Sequence, residues 1–270
     1  MKFIKILFII LLISNCASLD QSKFSSYKND VSSFSKDFSY KLEKSFHLGE
    51  RVFIKEVSFE FEEILSIEIN RNEPFSYEAS NKPFYYILKD TQKKVNTINS
   101  FLTSYSEGLY NIANSNIAEV AEEEIKNIQS STQDVLDNLN LSNVLVEEGL
   151  DATSKALSFI YERVSIRQRK EMISEISQAY YPIVKETLLI YFSIIEDLEF
   201  TLYDYYSRGF FILENIYSNK EDYLEREELA ERILQHRKEY LEVFDNIQRL
   251  KNKLNDLIKF NEDFHLSIGE

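Results

Sequence analysis

Histidine and cysteine, the side chains most used in nucleophilic and transition-metal chemistry, are few in this chain, which has three histidines and one cysteine among 270 residues. Glu262 precedes His265 by three residues, a spacing that places both on one face of a helix and that di-iron sites in helical bundles use. Such sites need two copies of the motif, and the sequence has no second copy. We therefore expect no metal and no other cofactor. We also expect no catalytic residue, because no Ser-His-Asp order is supported.

The remaining histidines are His47, which closes the first helical segment, and His236, which falls on an apolar heptad position. A histidine at such a position is more often hydrogen-bonded to a neighbouring helix than bound to a metal. Asn261 falls on the same series of positions, where a buried asparagine fixes the register of packed helices. We interpret His236 and Asn261 as packing residues.

Cys16 follows a leader with the features of an export signal. Lys2 and Lys5 make a positive start, and residues 6–13 form an apolar run that is too short to span a bilayer. Residues 13–16, Ile-Ser-Asn-Cys, resemble the lipobox of bacterial lipoproteins. The resemblance implies that residues 1–15 are removed and that Cys16 becomes the lipidated first residue. The alternative is a plain secretory signal beside an unmodified cysteine.

The charge of the chain argues against nucleic acid as a partner. The formal net charge is −14, and loss of Lys2 and Lys5 with the leader would make it −16. Binding to phosphates needs clustered lysine and arginine. The densest such cluster, at residues 163–170, is short, and we interpret it as a solvated helix face in preference to an anion site. With no cysteine beyond Cys16, the mature domain would have no internal disulfide.

Helices should dominate, because glycine (5) and proline (3) are scarce. Apolar residues repeat every three or four positions from Phe24 to Phe46, and Gly49 is placed to end that helix. Residues 50–69 fit a strand or a helix, and helix is favoured because a lone strand would have no partner. After a loop at residues 70–83, further helices are predicted over 83–111, 116–138 and 142–180, with Pro182 either kinking the last or opening the next.

Two long heptad series follow. The first runs from Leu188 to Ile216 and the second from Leu229 to Phe264, within a helix predicted at residues 223–265. Between them, residues 218–221 have the form of a capping box. Two such series joined by a short connection predict a helical hairpin with a coiled-coil pattern.

The sequence therefore predicts an all-α fold, an elongated bundle of long antiparallel helices closed by this C-terminal hairpin. Tyr240, Ile247 and Leu254 are expected to be buried in its seam. The predicted organisation is a signal peptide at 1–15, a lipidated N-terminus and tether at 16–23, and a single helical-bundle domain at 24–270.

Aromatic residues crowd the first heptad series, including Tyr203, Tyr206, Phe210 and Phe211. Tyrosine-rich surfaces suit partner binding, but the heptad pattern places Tyr205 in the seam and Tyr206 and Phe210 close beside it. We favour core packing for this cluster. Insertion into a membrane is the other alternative, although the acidic residues around the cluster would be repelled by anionic lipid.

The lipobox, the break at residues 180–184 (Tyr-Tyr-Pro-Ile-Val), the acidic stretch at 195–198 and the closing helix at 240–265 together resemble uncharacterised helical lipoproteins of bacteria. That resemblance carries no activity or site residues with it. The anchor, the long heptad series and the absence of a catalytic constellation predict a non-enzymatic protein, held at a membrane of the cell envelope and exposed outside the cytoplasm. Its expected role is that of a structural or protein-interaction module with a protein partner or a second copy of itself. The alternative is a helical membrane-active protein similar to pore-forming bundles.

Overall fold

The computed structural model of the protein describes residues 20–59, 84–115, 117–139 and 166–269, together with Gly149, Asp151, Ser154 and Ala156. These residues form helices α1 (Gln21–Phe59), α2 (Phe84–Asn114), α3 (Ala118–Leu139), α4 (Ile166–Ser218) and α5 (Tyr223–Gly269). No strand occurs in this described part of the chain. The predicted all-α fold is confirmed as a helical bundle, whereas its elongated, antiparallel arrangement stays a prediction.

Gly49 does not end the first helix, so that prediction is wrong. α1 continues through Gly49 to Phe59, and residues 50–59 are helical. A glycine inside a helix costs about 1 kcal/mol relative to alanine, which is too little to stop a helix whose flanking residues favour it. The rest of the ambiguous segment, at 60–69, and the predicted loop at 70–83 lie outside the described residues.

Pro182 lies inside α4, so the alternative that it opens a new helix is wrong. A proline removes one helical hydrogen bond at a cost of about 3 kcal/mol. Its neighbours Tyr180, Ile183 and Val184 are all fully buried. The packing of these side chains offsets the lost bond and carries the helix past the proline.

Asp222 caps the N-terminus of α5, so the capping box predicted at residues 218–221 is wrong. The Asp222 carboxylate accepts hydrogen bonds from the backbone N–H groups of Leu224 (2.8 Å) and Glu225 (3.1 Å). Ser218 is instead the last residue of α4, and its hydroxyl donates to the Glu214 carbonyl. Asp222 is the capping residue because its carboxylate reaches two of the backbone N–H groups that the first turn of a helix leaves without a partner.

The described residues divide into two compact units. Unit 1 draws on Met1–Ser32, Asn99–Glu186 and Ile258–Glu270, and unit 2 draws on Ser33–Ile98 and Thr187–Leu257. Helices α1, α2, α4 and α5 each have residues in both units. The predicted single domain at 24–270, after a tether at 16–23, stays a prediction.

Unit 1 is built around buried tyrosines. Tyr105 lies 5.8 Å from Tyr180 and 6.3 Å from Tyr27 between ring centroids, and all three side chains are inaccessible to solvent or nearly so. α2 and α3 approach closely at Gly108, where an added Cβ would lie 2.7 Å from Cδ1 of Ile128. A glycine at this position therefore lets the two helices pack in contact.

Unit 2 contains most of the two heptad series. Its buried rings include Tyr191, whose ring centroid lies 5.4 Å from that of Phe34 and 4.8 Å from that of Phe38. Most heptad positions in the described residues are buried, as predicted. They include Leu188, Ile195, Leu198, Leu202, Leu229, Val243, Ile247, Leu250, Leu254 and Leu257.

Four heptad positions differ from the prediction, because their side chains are only half-buried. They are Ile212, Ile216, Ile233 and Tyr240. Tyr240 is only half-buried, because it stacks on Tyr206 with ring centroids 4.0 Å apart and neither ring is fully covered. Near the end of α4, Leu213 is buried while the predicted Ile212 is only half-buried. The seam is therefore less tightly closed here than in the middle of α5.

Candidate functional site

The last turns of α5 pack into unit 1 and bring His265 against two other helices. Phe264 stacks on Tyr27 of α1 with centroids 4.3 Å apart, and it is 3% exposed. Because this ring fixes the end of α5, the next side chain, that of His265, points to α4 and α2. It lies 4.8 Å from the Tyr181 ring and 6.1 Å from the Tyr105 ring.

Both ring nitrogens of His265 contact hydroxyl groups. Nδ1 lies 2.5 Å from Oγ of Ser177 on α4, and Nε2 lies 3.3 Å from the hydroxyl oxygen of Tyr105 on α2. A neutral imidazole has one donor nitrogen and one acceptor nitrogen, and a hydroxyl can serve either. Both hydrogen bonds can therefore form in either tautomer.

Burial sets the protonation of this cluster. Loss of water around His265 lowers its pKa from 6.5 to about 4, so the ring is neutral at neutral pH. Burial, assisted by the nearby Tyr27, raises the pKa of Tyr105 well above 10, so its hydroxyl keeps its proton. The cluster is thus uncharged over the physiological range.

Asn261, one turn earlier on α5, is also buried and paired. Its side-chain oxygen accepts a hydrogen bond of 2.8 Å from the hydroxyl of Tyr27 on α1. Asn261 is 2% exposed and Tyr27 is 1% exposed. This hydrogen bond therefore fixes the register of α5 against α1, as expected for a packing residue.

A cavity of about 320 Å³ opens beside His265 in unit 1. The side chains that line it are Ser177, Gln178, Tyr181, Glu262, His265, Leu266 and Ile268. Glu262 and His265 do share this wall, as their spacing predicted. Glu262 forms an ion pair of 3.5 Å with Lys185, and its side chain is 43% exposed.

This geometry suits packing better than catalysis. In hydrolases, an imidazole activates a serine hydroxyl as a nucleophile by taking its proton. The imidazole can act as this base only if its pKa lies near neutrality. The pKa of His265 is about 4, and its second nitrogen contacts a tyrosine hydroxyl where a triad would have a carboxylate. The imidazole here links three helices.

Metal ligation by His265 would require breaking one of these hydroxyl contacts. Among the residues that the structure describes, no three His, Cys, Asp or Glu side chains are grouped so as to hold a metal ion. The expectation that the protein carries no metal and no cofactor stays a prediction.

His236 behaves as the sequence predicts. It is 1% exposed, and its Nε2–H donates to the carbonyl oxygen of Tyr206 on α4 at 3.3 Å. Its ring also stacks on the Tyr206 ring with centroids 4.9 Å apart. His47 is exposed on α1, and Cys16 lies outside the described residues.

One residue of the basic cluster at 163–170 does not belong to a solvated face. Arg169 is half-buried, and its guanidinium donates a 3.0 Å hydrogen bond to the carbonyl of Ala113 at the end of α2. A cation at a helix C-terminus satisfies a free carbonyl and interacts favourably with the helix dipole. Arg169 therefore joins α4 to α2 within unit 1.

The sequence did not reveal Ser177 and Tyr105 as partners of His265. They lie 88 and 160 residues away along the chain, so no local spacing could indicate the contacts. A weak signal was available for Ser177, a small polar residue on an otherwise apolar face that includes Ile173, Ile176 and Tyr180. Buried hydroxyls of this kind need a partner.

In the described part of the chain, no helix combines the length and apolar character that crossing a membrane requires. No protein-family model, curated protein or solved structure matches this chain.

Proposed function

We propose that this protein is a lipid-anchored lipoprotein of the bacterial cell envelope, whose helical domain acts outside the cytoplasm as a structural or protein-interaction module. The anchor is Cys16, and support for it comes from the charged and apolar leader at residues 1–15. Two or more acyl chains on that residue would hold the domain firmly at a membrane surface, whereas one chain would bind only weakly.

The observation that carries the interaction role is the uneven distribution of exposed apolar side chains. Of eleven large hydrophobic residues exposed in the described part of the chain, nine lie in unit 2. They are Tyr40, Leu189, Phe200, Tyr203, Phe211, Tyr223, Leu224, Leu234 and Leu241. Clusters of exposed apolar side chains commonly mark surfaces that other proteins cover.

Recovery of the protein from native membranes tests this role. The wild-type chain and Cys16→Ala, each with an affinity tag, would be isolated from solubilised membranes and from the soluble fraction. We expect the wild type in the membrane fraction, bound in fixed stoichiometry to a protein partner or a second copy, and Cys16→Ala to be released or left unprocessed. A monomeric wild-type chain without any partner would contradict the proposal.

A further inference from the structure

One face of α4 carries apolar side chains where a helix of a packed bundle should be polar. Leu189, Phe200 and Phe211 are 54%, 75% and 63% exposed, and all three belong to unit 2. Each follows the last by eleven residues, which is about three helical turns. They therefore stand in line along the helix.

This line lies on the face opposite the core. Tyr191, Leu198 and Leu202 are buried, and a rotation of about 100° per residue places them half a turn or nearly so from Phe200. Tyr203, 58% exposed, adds a further ring beside the line. We call the surface of Leu189, Phe200, Tyr203 and Phe211 the outer stripe. It extends for about 33 Å at ~1.5 Å per residue.

Acidic residues accompany the outer stripe. Between Leu189 and Ser218 the sequence has five acidic residues and a single basic one, Arg208. The acidic ones are Glu196, Asp197, Glu199, Asp204 and Glu214. Of these, Glu196, Asp197 and Glu214 are exposed and lie on the same side of the helix as Phe200 and Phe211.

From this combination we infer that the outer stripe docks an amphipathic helix that presents an apolar line flanked by lysine or arginine. The inference rests on the proposed interaction role and names its surface and its kind of partner. Aromatic side chains supply contact area at an interface, and surrounding charges of one sign select a partner of the opposite sign. A partner helix of about 22 residues would match the length of the stripe.

The same charges disfavour other occupants. A second copy using this face would set Glu196 and Glu214 against acidic residues, since a symmetric interface brings the same patch from both copies together. Anionic lipid would be repelled for the same reason. A basic helix is the occupant that the acidic flanks attract.

Exposed leucines on α5 provide a matched control. Leu234 and Leu241 are 65% and 48% exposed in the same unit. The residues between them include Arg237, Lys238 and Glu239, so this surface has mixed charge. It offers apolar area without the acidic flanks.

The test measures binding of the purified full chain to a synthetic amphipathic helix of about 30 residues with a leucine line flanked by lysines. A second peptide has glutamate in place of lysine. We expect the lysine peptide to bind, and to bind about tenfold more weakly to Phe200→Ala/Phe211→Ala, with no change for Leu234→Ala/Leu241→Ala. Glu196→Lys/Glu214→Lys should shift the preference to the glutamate peptide, which tests the inference without altering the rings.

Four results would overturn the inference. Two concern the peptides: equal binding of the lysine and glutamate peptides to the wild type, and equal binding of the lysine peptide to the wild type and to Phe200→Ala/Phe211→Ala. The other two are self-association of the chain that depends on Phe200 and Phe211, and binding to phosphatidylglycerol vesicles through those rings. Fatty-acid labelling at Cys16 is independent of all four, so a failed anchor and a failed docking surface can be told apart. Melting curves check that each variant is folded.

Discussion

Nδ1 of His265 lies 2.5 Å from Oγ of Ser177, and this contact joins the end of α5 to α4 within unit 1. The opposite ring nitrogen reaches the hydroxyl of Tyr105 on α2. A neutral imidazole thus serves as a hydrogen-bonded link between three helices. Its burial makes the link sensitive to pH.

Acid should destabilise the protein through His265. Burial lowers the pKa of this residue from 6.5 to about 4, so between these values the unfolded chain binds more protons than the folded one. The stabilising contribution is present above pH 6.5 and is lost as the pH falls toward 4. Between pH 7 and pH 5 the loss is about 2 kcal/mol, measurable by urea unfolding.

Carboxylates also titrate in acid, so the comparison requires variants. His265→Gln should lack this part of the pH dependence, whereas His47→Gln, at an exposed position, should keep it. NMR titration of the His265 ring protons gives the midpoint directly. A midpoint near 6.5 would contradict the burial of this imidazole.

Leu254→Ala should destabilise the protein by about 2–5 kcal/mol, because it leaves a cavity in the closed part of the seam. Leu254 is inaccessible to solvent, whereas Leu241 on the same helix is 48% exposed. Leu241→Ala should therefore change the free energy of unfolding by less than about 0.5 kcal/mol. Equal melting temperatures for the two variants would argue against the seam.

Tyr27→Phe should cost about 1–3 kcal/mol, because it leaves the buried side-chain oxygen of Asn261 without its donor. Tyr40→Phe is the control, since Tyr40 is 56% exposed on the same helix and its hydroxyl contacts the Lys44 ammonium at the surface, where water can replace it. Denaturant unfolding measures both variants. A neutral Tyr27→Phe substitution would show that Asn261 does not fix the register of α5 on α1.

Protein purified without added metal should contain no stoichiometric transition metal. His265 already contacts two hydroxyls, and Glu262 is paired with Lys185. Elemental analysis is the measurement. One iron or zinc atom per chain, lost in Glu262→Ala, would make a metalloenzyme the better hypothesis.

Local periodicity is what made much of the fold predictable. The heptad positions of α5 place His236, Asn261 and Phe264 on the buried face, and all three are buried. Gly49 and Pro182 were misleading because each adds a cost to a helix, about 1 and 3 kcal/mol, that favourable neighbours can outweigh. At Pro182 those neighbours are the buried side chains of Tyr180, Ile183 and Val184, whose packing depends on tertiary structure.

The site was only partly predictable. The shared face of Glu262 and His265 follows from their spacing, but the contacts of His265 with Ser177 and Tyr105 depend on tertiary packing. The crowding of aromatic residues was interpreted as core, although Phe211 proves exposed. Its position opposite the heptad seam could have been read from the helical period alone.

The proposed function depends above all on lipid attachment at Cys16. The most direct measurement is metabolic labelling of cells with a clickable fatty-acid analogue, followed by recovery of the wild-type chain, Cys16→Ala and the control Ser18→Ala. We expect label on the wild type and Ser18→Ala in the membrane fraction, and none on Cys16→Ala. A wild-type chain without label would contradict lipid attachment at Cys16.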